Sequence, residues 1–480
     1  MNMPRRDRYN DNRAVEMLRQ MMEYKYVWDF NCMERQMIQD MMIMGTVCSN
    51  QYDPLTKRFS SKFNMIGCPE ISDFNMNHIF QTMLYNKMKK YPQNIRCMCP
   101  EISETCVNVL NFFRNNTEME NCCHLTIREP LRVVQSICSL SPKDIYSSTD
   151  MTNLCYHELM RVFCDRIPQQ KMRDNLVNEI RQIMNSMKTM QMEECQKCEE
   201  VVFSDYMETR HEERRPYNKV YSMNKFMEKT NNYIREYNAE MGYKRALNMV
   251  MFPEVCQNIS RICRVLRQTQ GNMMLVGPKG CGKKSMTRIA SYIMCCQMEE
   301  CQEMPNCAYP VWENWLKEVM MRTVRENRRF CIMVNGCELT DEMMMTLCIC
   351  LKMDNVQCLF TPEEITCLEK ECREECQQRK MTLNRKNMME VCMERLRRNF
   401  HCVVCMNPQE NNFHCRLREF PTLLNESTMN WIQNWSVEGL TAIGRKNLAM
   451  EQMPENMCCN SMVETCQRIH CCVEECCPKM

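Results

Sequence analysis

Residues 272–293 read NMMLVGPKGCGKKSMTRIASYI, and three of only 10 glycines in 480 residues, Gly277, Gly280 and Gly282, fall here. The apolar run from Met273 to Val276 predicts a short buried strand. Beyond the glycines, Met286, Ile289, Ala290, Ile293 and Met294 recur at the i, i+3, i+4, i+7, i+8 spacing of one helix face. A glycine-rich turn between a strand and a helix is the setting in which backbone N–H groups can cradle phosphate, with the helix N-terminus adding positive partial charge. Gly277, Pro278, Lys279, Gly280, Cys281, Gly282, Lys283, Lys284 and Ser285 are therefore candidate nucleotide-binding residues, with Lys283 placed to reach β- and γ-phosphates. The implied cofactor is a nucleotide with Mg²⁺. The pattern G-x-x-x-x-G-K-[ST] holds through Lys283, but Lys284 takes the hydroxyl's place and Ser285, the candidate Mg²⁺ ligand, stands one position late.

From residue 246 onward strands and helices alternate, which predicts an α/β domain. Val255, Ile259, Ile262 and Leu266 predict a helix opened by Pro253. The runs FCIMV (330–334) and HCVVCM (401–406) suit parallel strands buried on both faces. Hydrolysis asks for an acidic residue at the tip of the second core strand. Here FCIMV is followed by Asn335, Gly336, Cys337 and Glu338, with no carboxylate at the tip. Asn407, after the third strand, is a candidate γ-phosphate sensor and equally an ordinary turn residue before Pro408.

The chain is long enough for two to four domains, and 44% apolar with 25% charged residues is the balance of a folded soluble protein. Lys+Arg 62 against Asp+Glu 60 leaves a net charge of +2, which gives no global field for nucleic acid or an acidic membrane. Neither a membrane-spanning run nor an apolar leader after MNMPRRDRYND is found, so a cytoplasmic location is expected. In that setting the 39 cysteines are expected to be free thiols. CQKC (Cys195, Cys198), CLEKECREEC (Cys367, Cys372, Cys376) and HCCVEECC (His470, Cys471, Cys472, Cys476, Cys477) invite a zinc reading, but CQKC lacks a second pair at a customary distance.

The N-terminal half reads as mostly helical. Residues 1–68 hold an amphipathic segment and two apolar runs, DMMIMGTV and KFNMIGC, expected as strands or buried helix ends. A helical bundle is expected over 69–170, a polar helical linker of weak core-forming power over 171–245, the α/β core over 246–440, and an incomplete helical pattern over 441–480.

With these blocks in hand, the sequence resembles a dynein heavy chain, from the second part of the third AAA+ module of its motor ring through the fourth. LNMVMFPEVCQNISRICRVLRQTQGNMMLVGPKGCGKKSMTRIASYI is similar to the fourth module's phosphate loop, which in that family also carries a residue between the lysine and the serine. FHCRLREFPTLLNESTMNWIQNW resembles the same module's arginine-bearing block, while LRVVQSICSL and CYHELMRVFCDRI resemble the third module's lid. MNMP, VEMLRQ and RFSSKFN are similar to the stretch of chain beyond the third module's second acidic motif. The resemblance implies three-layer P-loop AAA+ cores with helical lids: 1–68 as the end of the third core, 69–170 its lid, 246–440 the fourth core and 441–480 the start of its lid. It also implies that Arg416 and Arg418 are candidate arginine fingers for the preceding module and that Arg128 is a candidate lid sensor.

Departures from the family pattern are His414 for the first arginine of that block, Ser61 for a second arginine near Arg58, GTVCSNQYD for a glycine-rich loop, and Gly336 for the Mg²⁺-holding Asp. The resemblance therefore implies a regulatory ATP- or ADP-binding module of a microtubule motor, with slow or no hydrolysis and no complete hydrolytic site within this chain. Its partners would be other modules and chains of a dynein complex, with microtubules touched only through parts outside this sequence. A cytoskeletal location in the axoneme of a cilium or flagellum is expected. The competing expectation is a non-catalytic scaffold or degenerate copy of such a chain. An unrelated P-loop kinase or transporter ATPase leaves the blocks outside the loop unexplained.

Overall fold

The structure is a computed structural model that describes residues 12–29, 32–46, 57–122, 125–140, 142, 145, 147–190, 201–207, 215–242, 246–301, 307–353, 356–410, 412–432, 435–449 and 459–476. Residues 1–72 and 73–480 form separate compact units.

In the first unit, α1 (Arg13–Tyr24) starts where the Asn12 side chain accepts the Val15 N–H at 3.3 Å and ends at Lys25, in the left-handed region with φ 61. A hairpin follows, β1 (Tyr26–Asp29) antiparallel to β2 (Glu34–Met37), with the Arg35 guanidinium 5.0 Å from the Tyr26 and Trp28 rings. The two apolar runs expected as strands or buried helix ends are neither. Residues 41–46 and 64–68 are irregular, and Met42, Met44, Met65 and Ile66 are more than four-fifths exposed. An apolar run becomes a strand only where a neighbour accepts its backbone groups and covers its side chains; within this unit β1 and β2 satisfy each other instead. Arg58 is exposed on the short turn of helix Lys57–Ser60, its carbonyl accepting the Ser61 hydroxyl at 2.9 Å.

The second unit opens as a helical bundle: α2 (Asp73–Lys87), α3 (Cys99–Asn115), α4 (Arg128–Cys138), α5 (Ser148–Leu159) and α6 (Gln170–Ser186). Phe80, Leu110, Phe113, Val133, Leu154 and Phe163 fill its interior. The stretch expected to be a weakly packing linker contributes more core than its polarity suggests. Helix α6 buries Met172, Leu176, Ile180 and Met184 at helical spacing. After the two-residue strands β3 (Phe203–Ser204) and β4 (Asn218–Lys219), α7 (Met223–Met241) buries Phe226, Tyr233 and Tyr237 against the domain that comes next. A few large aromatic rings at one face outweigh a polar average.

That domain is built on α8 (Pro253–Arg267), β5 (Met273–Val276), α9 (Lys283–Ile293), β6 (Gln297–Glu300), α10 (Tyr309–Glu326), β7 (Phe330–Asn335), α11 (Asp341–Lys352), α12 (Arg385–Asn399), β8 (Phe400–Met406), α13 (Phe413–Glu419) and β9 (Thr428–Trp431). Its five strands lie parallel in the order β6-β7-β8-β5-β9. Alternate side chains go to opposite faces. Met273, Leu275, Cys331, Met333, Val403 and Cys405 pack with α7, α8 and α9, whereas Met274, Val276, Ile332, Val334, Val404 and Met406 pack with α10, α11 and α12. Both faces are covered, giving three layers and near-continuous apolar strands. Two further helices, α14 (Val437–Ala449) and α15 (Cys459–Cys476), complete the described chain.

The bundle docks on this core through buried charge. Glu158 of α5 accepts Arg264 Nε of α8 at 3.0 and 3.2 Å and Arg264 Nη2 at closer range, and both side chains are almost fully buried. Asp165 takes Arg173 at 3.3 Å and Arg161 and Arg261 at 3.4 Å, while its carbonyl accepts the Trp431 N–H at 2.7 Å. Arg132 of α4 donates to Ser427 O at 3.0 Å and Asn425 O at 2.6 Å, just ahead of β9.

Candidate functional site

The carboxyl ends of β5, β7 and β8 converge. Val276 is in register with Met406, and Asn335 with Cys405. Beyond these pairs, Gly277 N–H donates to Met406 O at 3.2 Å and Gly336 N–H to Cys405 O at 2.9 Å. From β5 the chain leaves for the β6 edge, and from β8 it crosses past β5 to β9, so the crevice lies at a switch in strand order, where open α/β sheets bind ligands.

The loop between β5 and α9 has the conformation its glycines predict. Gly280 and Gly282 both have φ +84, which side-chain-bearing residues rarely adopt. Gly277 is needed for a different reason: a Cβ there would meet Cys281 Sγ at 3.0 Å and Ile432 Cβ at 3.2 Å. Lys283 opens α9, and its ammonium curls back to Gly277 O at 2.6 Å, Pro278 O at 2.7 Å and Cys281 Sγ at 3.6 Å. Cys281 is buried beneath the loop, Ser285 is half-buried in the first turn of α9, and Lys284 is exposed. The amine is thus held among backbone acceptors beside the free N–H ends of a helix, an arrangement that can exchange those carbonyls for phosphate oxygens.

Lys279, at the loop's tip, lies 3.5 Å from Glu410 in the turn after β8. Hydrogen bonding from the Cys337 thiol, with help from Lys279 and Asn407, holds the Glu410 carboxyl below its ordinary range. Burial pushes Cys337 up to about 11, so it stays a thiol. Asn407 is buried at the end of β8 and accepts the Gln409 N–H at 3.2 Å. Glu410 joins the loops after β5, β7 and β8, a role that an isolated acid in a polar turn does not announce.

The tip of β7 carries no acid. Asn335 Nδ2 donates to Glu338 at 2.6 Å, and the Glu338 carboxylate is thereby turned to an exposed contact. A Cβ at Gly336 would lie 2.2 Å from Met406 Sδ and 3.1 Å from Val404 Cγ1. Arg416 Nη1 donates to Gly336 O, and its Nη2 donates to Leu339 O at 2.7 Å. The residues present therefore fit a nucleotide's phosphates but not an acid-held Mg²⁺; among the expected metal-holding groups only the Ser285 hydroxyl remains.

The other expected arginines lie apart from the loop. Arg418 is exposed on α13, and Arg128, at the start of α4, pairs with Glu426 at 3.2 Å. Among the described residues no group of three or more His, Cys, Asp or Glu side chains is arranged to hold a metal ion. Cys195, Cys198 and Cys477 lie outside the described residues. No helix among the described residues is long and apolar enough to cross a membrane.

Residues 247–480 match a family model described as the P-loop containing dynein motor region D4, and residues 1–71 match one described as a P-loop containing dynein motor region. Among curated proteins, the chain is 24% identical to dynein axonemal heavy chain 6 of Homo sapiens, over 93% of this chain and 11% of that protein. It is 24% identical to dynein axonemal heavy chain 1 of Rattus norvegicus, over 98% of this chain and 11% of that one. The Mus musculus dynein axonemal heavy chain 1 is 25% identical, over 98% and 12%. The chain thus spans only about 11% of the length of these relatives.

Proposed function

Since the chain belongs to the dynein heavy chain family, we propose that residues 246–449 act as a nucleotide-binding, regulatory module of an axonemal microtubule motor, taking ATP or ADP with slow or no hydrolysis. One observation carries the reading: an intact phosphate loop faces a β7 tip without a carboxylate, where Met406 lies against Gly336. The backbone N–H groups of Gly280 to Ser285 and the Lys283 ammonium would hold the phosphates, and Ser285 would offer a hydroxyl to a metal brought in by the nucleotide. Bound Mg²⁺ would supply charge neutralisation at the phosphates. Without an acid on β7 to fix that metal, and with Glu338 tied to Asn335, the site favours retention over turnover.

The relatives named as axonemal support a place in the cytoskeleton of a cilium or flagellum, in a complex with other dynein chains. Microtubule contact would then belong to other parts of such a motor. The full 480-residue chain tests the reading with fluorescent ATP and ADP analogues and a phosphate-release assay. The expected result is micromolar or tighter binding, lost on Lys283→Ala, with negligible phosphate release. Brisk hydrolysis abolished by Lys283→Ala would refute the slow-site reading, and absence of binding would favour a scaffold.

A further inference from the structure

We propose that Met406 and Arg416 lock the Gly336–Leu339 turn into a form that binds nucleotide without an acid-held metal, so that restoring a carboxylate at position 336 is insufficient while Met406 stays in place. This rests on the reading that Gly277–Ser285 holds a nucleotide.

Steric exclusion comes first. Met406 is the last residue of β8, 1% exposed, and packed on the face shared with Val334 and Val404. Its Sδ would lie 2.2 Å from a Cβ at position 336, with Val404 Cγ1 at 3.1 Å. A buried thioether in a close-packed interior has little room to rotate away. The turn cannot easily retreat either, because Arg416 donates to the carbonyls of both Gly336 and Leu339 and so grips its two ends from α13. Gly336 N–H is also fixed, on Cys405 O at 2.9 Å. Three hydrogen bonds, one from Gly336 N–H to the β8 backbone and two from the Arg416 side chain, thus hold position 336 against Met406, which with Val404 fills its space. A lost acid at an otherwise unaltered tip would leave an opening; here the opening is filled.

Two measurements on the full chain test this. The first is binding of N-methylanthraniloyl-ATP in Mg²⁺ and in EDTA. The wild type and Gly336→Asp should bind with little difference between the two conditions, whereas Gly336→Asp/Met406→Ala should gain about tenfold on adding Mg²⁺, and Lys283→Ala should abolish that gain. An equal Mg²⁺ gain in Gly336→Asp alone, or no gain in the double variant, overturns the proposal. Absence of wild-type binding in EDTA would instead refute the nucleotide reading beneath it.

The second measurement needs no ligand and remains available if the Asp variants fold poorly. Gly336→Ala and Met406→Ala should each lower the melting temperature, and the double variant should be clearly less destabilised than the sum of the two, as expected of residues in direct contact. Additive shifts would overturn the proposal.

Discussion

Two histidines in the second unit make folding sensitive to mild acid. His157 and His401 are both fully buried, and burial is the main force that lowers each to about 4. His157 sits between Val201 O at 2.9 Å from Nδ1 and the Tyr217 hydroxyl at 3.1 Å from Nε2, so the neutral ring donates at one nitrogen and accepts at the other. His401, on β8, donates from Nδ1 to Gly271 O at 3.1 Å, while Nε2 has no partner among the described residues. Protonation would put an N–H donor against the Tyr217 oxygen in the first case and into apolar core in the second. An unfolded histidine titrates near 6.5, so below that pH the unfolded chain binds more protons than the folded one. Stability is therefore complete above about pH 6.5 and falls as pH drops towards 4. At pH 5 each site should have lost about 2 kcal/mol, or ~4 kcal/mol for the pair. Glu158, held low by Arg264, adds to the acid loss only below the ordinary carboxylate range, whereas Asp205, pushed up by burial, works against the loss. Urea titrations of the full chain at half-unit pH steps measure the slope. His401→Asn, which keeps a donor for Gly271 O, should remove about half of it. A flat profile between pH 6.5 and 5, or a slope unchanged by His401→Asn, would refute the reasoning.

Glu158→Ala should cost about 3–5 kcal/mol in denaturant unfolding, because it strands the buried Arg264 guanidinium, whose remaining hydrogen bond among the described residues is to Ser136 Oγ at 3.2 Å. Gly282→Ala forces a Cβ into φ +84 at the start of α9, so it should lose about 1–2 kcal/mol and weaken nucleotide binding in a fluorescence titration. Arg416→Ala should destabilise by about 2–4 kcal/mol through the two abandoned carbonyls, whereas Arg418→Ala, at an exposed position, should stay within about 0.5 kcal/mol by the same denaturant unfolding.

Legibility in the sequence tracks burial. β5, β7 and β8 are covered on both faces, so their apolar runs are continuous and stand out. β6 is QMEE, an edge strand whose polarity hides it, and residues 41–46 show the converse error, with strand-like residues lacking a covering neighbour. α7 is obscured by its charged face, although Phe226, Tyr233 and Tyr237 mark the buried one. The phosphate loop is legible because its chemistry is local, nine consecutive residues with a strand before and a helix after. Met406, Glu410 and Arg416 act on groups about 70 to 130 residues away in the chain, and only the sheet register brings those groups together.

The same register changes how the arginine block is understood. Arg416 and Arg418 are two residues apart on α13, and a helix turns by about 200° over that interval, so the pair cannot serve one target. Arg416 faces inward and closes on the turn after β7, whose first residue touches the end of β8 through Gly336 N–H. Arg418 remains on the outer side. Under the proposed function, a neighbouring module's nucleotide would meet Arg418 on that side, while Arg416 stays engaged with Gly336 and Leu339. α13 thus carries one arginine on each side, Arg416 closed on the turn after β7 and Arg418 exposed.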